Sequence, residues 1–178
     1  MNHKKVLLVI AYDGYQPVEY GIPKKTLQQA GFQVVTASNK AGIATAKDQS
    51  TTNVDITLEQ VNVADYEGIF FVGGPGALDN LDHEASYDLI NQAFRQEKII
   101  GAICIATRIL AASGVLTAHA ATGWDGDDKL ADIYREYEVY YLPDQKVVTQ
   151  GNIITATGPE AAQDFADQIV RMLTRPLP

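Results

Sequence analysis

Apolar residues come along this chain in short unbroken runs, separated by longer stretches of mixed character. Val6-Leu-Leu-Val-Ile-Ala11 is the first run; residues 32–37, interrupted by Gln33 and Thr36, read as the next strand, and 69–72 and 99–103 follow. Runs this short and without alternation are what strands covered on both faces show, because each side meets apolar neighbours. Between the first two, Pro17 opens a helical stretch that Gly31 ends. Residues 87–96 read as a helix with Leu89, Ile90, Ala93 and Phe94 on one face. Residues 107–113 form a short helix stopped by Gly114, and 127–137 also read as helical. Residues 139–142, 147–149 and 153–157 are short strands. Pro159 stands at a first helical position, and the last helix runs to about Leu173. Residues 39–53, rich in Ala, Gly, Thr and Ser, hold a small hairpin or loop. This rhythm predicts a single α/β domain over 1–178, with a mostly parallel sheet and helices on both faces.

Composition narrows the function classes. With 178 residues the chain suits one domain, and 46% hydrophobic against 20% charged residues excludes a disordered class. The net charge of −8, with lysines and arginines scattered, argues against nucleic acid as a partner. No apolar run approaches a bilayer's thickness, so no membrane partner is expected, and the early acids after residues 6–12 argue against a signal peptide. The lone cysteine cannot form an internal disulfide, which fits a reducing, cytoplasmic setting.

That cysteine, Cys104, is the first candidate for chemistry. It follows a buried strand and precedes a helix, with Ala102 and Ala106 as small neighbours. A tight strand-to-helix turn of this kind exposes a nucleophile, and free N–H groups at the helix start favour a thiolate. Gly73-Gly-Pro-Gly76 is the second candidate. Glycines after a strand let backbone approach a ligand, although the motif is neither a dinucleotide fingerprint nor a phosphate loop. Glu19 sits early in the first helix, where Val18, Tyr20 and Ile22 suggest partial burial and a raised pKa. His3, His83 and His119 lack metal-ligand spacing and read as surface histidines, so no metal and no cofactor is expected. Asp125, Asp127 and Asp128 read as an acidic cluster where a helix begins. Tyr134, Tyr137, Tyr140 and Tyr141 read as packing residues.

Pro17-Val-Glu-Tyr20, Gly73-Gly-Pro-Gly-Ala77 and Ala102-Ile-Cys-Ile-Ala106 together resemble the DJ-1/PfpI (ThiJ) superfamily in order and spacing. The closing Gly151-Asn-Ile-Ile-Thr-Ala-Thr-Gly-Pro159 resembles it too, so the likeness covers essentially the whole chain. The resemblance implies a flavodoxin-like three-layer sandwich and a homodimer. It implies that Cys104 is the reactive elbow cysteine and that a protonated Glu19 hydrogen-bonds its sulfur. The N–H groups of Gly74 and Ile105, beside Gly73, would form an oxyanion or sulfinate pocket. The activities it implies are glyoxalase III or deglycase, protease or amidase, chaperone, and oxidative-stress sensing.

Two departures bear on activity. Protease-like members carry a histidine directly after the cysteine, where this chain has Ile105. Glyoxalase-like members carry one in a segment resembling Ala121-Thr-Gly-Trp-Asp125, where Trp124 takes its place. Indole cannot shuttle protons at neutral pH. Two readings therefore stand. One is a cysteine-dependent glyoxalase, deglycase or hydrolase acting on small carbonyl compounds, with Trp124 and Asp125 lining the pocket and His119 as a substitute base. The other is a non-enzymatic stress protein whose partner is an oxidant and whose cysteine becomes a sulfinate held by Glu19.

Overall fold

The computed structural model describes residues 4–175. Seven strands form the central sheet, in the order Val147–Gln150, Ile153–Ala156, Ile99–Ile103, Tyr66–Phe71, Lys5–Val9, Gln33–Ser38 and Ile56–Thr57. All neighbours are parallel except the Val147–Gln150 edge strand, which pairs antiparallel with Ile153–Ala156. The continuous apolar runs have the expected cause. Val6 to Ala11, Ile69 to Phe71 and Ile100 are completely buried, because helices cover both faces of the sheet. Pro17–Gln29 and Ala162–Thr174 pack together on one face, while Glu84–Arg95 and Thr107–Ala112 cover the other. The architecture is the flavodoxin-like three-layer α/β sandwich.

Chain order reverses at Lys5–Val9, whose neighbours are the next strand in sequence on one side and Tyr66–Phe71 on the other. Ligands of open parallel sheets bind outside the carboxyl ends of strands at such a reversal. Three segments named above leave the sheet there: the turn to Glu19, the Gly73-Gly74 loop and Cys104.

The 39–53 segment is a hairpin, Gly42–Ala46 against Thr51–Val54, and Asp13–Tyr15 adds to it as a third strand. Ala120–Ala121 and Tyr140–Tyr141 make a separate parallel pair. Several boundaries differ from the sequence reading. The Glu84–Arg95 helix starts a turn earlier than residue 87, because the extended His83 already accepts from the Ser86 and Tyr87 N–H groups. Phe94, expected on its buried face, is 43% exposed and meets His119 edge-on. The Leu130–Glu136 helix starts three residues later than residue 127, since Asp125 accepts the Leu130 N–H and Asp127 turns to Arg108. Pro159 opens a single tighter turn, and the last helix proper begins at Ala162. No helix among the described residues is long and apolar enough to cross a membrane.

Candidate active site

Cys104 ends the Ile99–Ile103 strand and starts a tight turn, Cys104–Ala106, that runs into the Thr107–Ala112 helix. Its φ is +63°, a left-handed conformation that costs an L-residue about 1–2 kcal/mol. The Thr107 hydroxyl donates to the Cys104 carbonyl at 3.0 Å, and the Trp124 N–H approaches the same oxygen at 3.4 Å. Both bonds hold the turn in this strained form. The residue is only 8% exposed.

Glu19 arrives from the first helix. Gln16 caps that helix by accepting from Val18 N–H, and Pro17 supplies a first-turn φ. Pro23, inside the helix, has no N–H for the Glu19 carbonyl four residues back. Glu19 is completely buried, deeper than its neighbours implied, although Val18 beside it is 42% exposed. Its Oε2 accepts the Gly73 N–H at 2.9 Å, while Oε1 is buried with no conventional partner. The Cys104 sulfhydryl lies within hydrogen-bonding reach of this carboxyl.

The glycine loop makes the approach sterically feasible. A Cβ on Gly73 would come within 2.6 Å of both Cys104 Cβ and Glu19 Oε2. Gly74 has φ +124°, and a Cβ there would strike the Gly14 carbonyl. The Gly74 and Ile105 N–H groups lie near enough to the sulfur to favour its charged form.

Burial pushes Glu19 up from 4.5 to about 7, against the opposing pull of the thiol, the Gly73 N–H and nearby Lys47. Burial likewise pushes the Cys104 thiol up, and the Glu19 charge adds to this, while the Ile105 and Gly74 N–H groups work the other way. The thiolate expected from the helix start is therefore not favoured at rest. The six-residue Thr107–Ala112 helix is too short for its dipole to offset a dry setting.

The sulfur opens into a pocket of about 280 Å³. Pro75, Ile105, Trp124 and Pro159 give it apolar walls, and Gln16 and Lys47 supply polar groups. A larger open groove, about 620 Å³, lies between residues 144–149 and the last helix and contains neither Cys104 nor Glu19.

This arrangement of cysteine elbow, glutamate and glycine loop sits in a chain whose residues 4–172 match the sequence model of the DJ-1/PfpI family. The chain belongs to that family. It is similar to a deglycase of Pyrococcus abyssi, 27% identical over 167 residues, which cover 94% of this chain and 98% of that protein. A glutathione-independent glyoxalase of Caenorhabditis elegans is 24% identical over 173 residues, covering 97% and 90%. Among solved structures, a ThiJ/PfpI domain protein from Brachyspira murdochii superposes with a TM-score of 0.90 at 27% identity, over 96% of each chain.

Within this DJ-1/PfpI site the residues foreseen from sequence divide. Cys104, Glu19, Gly73, Gly74, Ile105 and Trp124 come together. Asp125 does not line the pocket: its Oδ1 accepts the Leu130 N–H at 2.7 Å and its Oδ2 the Tyr141 hydroxyl at 3.3 Å, so it organises a helix start. His119 is no substitute base. Its Nδ1 lies 2.9 Å from the Thr117 carbonyl and its ring meets Phe94, away from the pocket. His83 is exposed near the Asn80 carbonyl, and His3 lies outside the described residues. No group of metal-binding side chains occurs among the described residues.

Sequence reasoning missed Gln16, Lys47 and Pro159 as wall residues, since their places follow from chain reversals that leave no local pattern, whereas Pro75 came with the glycine motif. It also missed Arg108, which did leave one. An arginine within the apolar run Ile105–Ala112 must find a partner, and the acidic residues nearby were the candidates. Arg108 forks onto Asp127, and its hydrogen bond holds that carboxyl below the usual range.

Proposed function

We propose that this protein performs covalent cysteine chemistry on small carbonyl compounds, with Cys104 as nucleophile and Glu19 as proton carrier. The observation that carries the reading is the completely buried Glu19 carboxyl, held by the Gly73 N–H at 2.9 Å with the Cys104 thiol beside it. A carboxyl near 7 exchanges protons readily at neutral pH, which suits general acid–base work. Glu19 takes the thiol proton, and the sulfur lone pair forms a bond to the carbonyl carbon. The C=O π electrons move to oxygen, which receives the proton back. The net reaction is addition of S–H across C=O, giving a hemithioacetal. The Gly74 and Ile105 N–H groups, which favour negative charge on the sulfur, stabilise the thiolate as its proton leaves. No histidine lines the pocket among the described residues, so later proton transfers also fall to Glu19. The deglycase and glyoxalase names of the relatives agree with this substrate class.

The test is lactate formation from methylglyoxal by wild type, Cys104→Ser and Glu19→Gln. Turnover in wild type that both variants lose supports the reading, and background rates in all three overturn it for that substrate.

A second reading is favoured by two backbone N–H groups, of Gly74 and Ile105, and the Glu19 carboxyl lying beside one sulfur. Peroxide would convert the thiol to sulfenic acid with loss of water. A second peroxide would give the sulfinate, its charge held by Gly74 N–H, Ile105 N–H and the protonated Glu19. Intact-mass measurement after graded peroxide decides it. A thiol that gains no oxygen at doses that oxidise free cysteine removes this role.

A further inference from the structure

The Trp124 wall of the pocket is anchored by an ion pair that takes no part in the chemistry above. Arg108 follows Cys104 by four residues and is only 7% exposed. Its Nη1 donates to Asp127 Oδ2 at 3.0 Å and its Nη2 to Oδ1 at 2.6 Å. Nη2 also approaches the Trp124 carbonyl at 3.4 Å, and the guanidinium carbon lies 5.6 Å from the Trp124 ring centre. The indole rests on bare backbone at Gly126, where an added Cβ would fall 2.5 Å from Cζ2. The Trp124 N–H is itself directed at the Cys104 carbonyl. A planar, two-pronged fork fixes direction as well as distance, which a single surface ion pair does not.

We infer that the Arg108–Asp127 pair is a positioning device that holds Trp124 as the wall limiting which reactants reach Cys104. The inference rests on the reading of Cys104 as the reacting atom. With the pair made, the 280 Å³ space admits small carbonyl compounds and turns away those with an aromatic ring at the reacting end. With it broken, the loop of residues 124–128 loses its tie to the Thr107–Ala112 helix, and the indole leaves the sulfur's approach.

Trp124 is the only tryptophan in the chain, so its emission reports its own position. The experiment measures Cys104 alkylation by iodoacetamide and by N-phenylmaleimide, each scaled to its rate with free cysteine, together with acrylamide quenching of Trp124. Asp127→Asn replaces one acceptor oxygen by a donor that opposes the guanidinium. Gly126→Ala pushes the ring while leaving the pair intact. Both variants are expected to raise the bulky-to-small rate ratio by about 10-fold, the size of a typical coupling between touching residues, and to increase quenching. Asp127→Glu, which keeps both oxygens, should stay close to wild type. A folded Asp127→Asn protein with wild-type ratio and quenching overturns the inference. If neither reagent modifies wild type at any pH, the reading of Cys104 fails instead, and quenching alone still decides whether the pair holds the tryptophan.

Discussion

Replacing Glu19 with glutamine should make the protein more stable at neutral and alkaline pH. The unfolded chain releases the Glu19 proton near 4.5, while the folded chain keeps it to about 7 because burial disfavours the charge. Between these values the native state holds a proton that the unfolded state has lost. The stability that depends on neutral Glu19 is therefore complete below about pH 4.5, falls as pH rises, and is gone above about 7. At roughly 1.4 kcal/mol per pH unit the loss amounts to ~3 kcal/mol. Glutamine does not titrate, can still accept the Gly73 N–H and can offer an N–H to the sulfur. The advantage of Glu19→Gln over wild type should grow by ~3 kcal/mol from pH 4.5 to 8, or about 6–12 °C in Tm for a domain of this size. Urea unfolding of both proteins across that range measures it, with other titrating groups cancelling in the difference. Repeating the pair in a Cys104→Ser background separates the cost of the carboxyl from that of the thiol. A difference that stays flat from pH 4.5 to 8 would refute the reasoning, since Glu19 would then be charged throughout in the native protein.

Other outcomes follow from the same geometry. The pH midpoint for Cys104 ionisation, read from thiolate absorbance, should lie above that of a free thiol (about 8.5) and move down in Glu19→Gln, where the neighbouring charge is gone. A wild-type midpoint below neutrality would contradict the burial seen here. Gly73→Ala should lower stability in urea unfolding by about 1–3 kcal/mol through overpacking, because its Cβ meets Cys104 and Glu19 at 2.6 Å. Tyr134→Phe removes a buried hydroxyl that donates to the Thr122 carbonyl at 2.9 Å. Leaving that oxygen unpaired should cost about 1–3 kcal/mol in thermal unfolding.

The strands were legible because burial on both faces demands unbroken apolar runs, and Val6–Ala11 could hardly do anything else. Cys104, Glu19 and the Gly73-Gly74 loop were legible as a set through the family resemblance of their three segments taken together, since Glu19 and the glycines alone carry only weak local signals. Phe94 was misread because period alone cannot say how wide a helix's covered face is. Asp125 and Asp127 looked alike in sequence, yet one organises a helix start and the other pairs with Arg108, a choice made by partners distant along the chain. The ionisation of Cys104 was misread for the same reason. Local rules favoured a thiolate, and the burial that opposes it is made by segments distant along the chain.

The carboxyl bridges residues 54 positions apart when it takes the Gly73 N–H, and Cys104 lies further along still. No fragment of the chain can assemble this trio before its parallel strands have docked side by side. An incompletely folded molecule would carry an ordinary, more acidic sulfhydryl, and the finished one a muted sulfhydryl. Rapid labelling in a population would thus count molecules whose sheet has not closed, making the cysteine a built-in gauge of maturation.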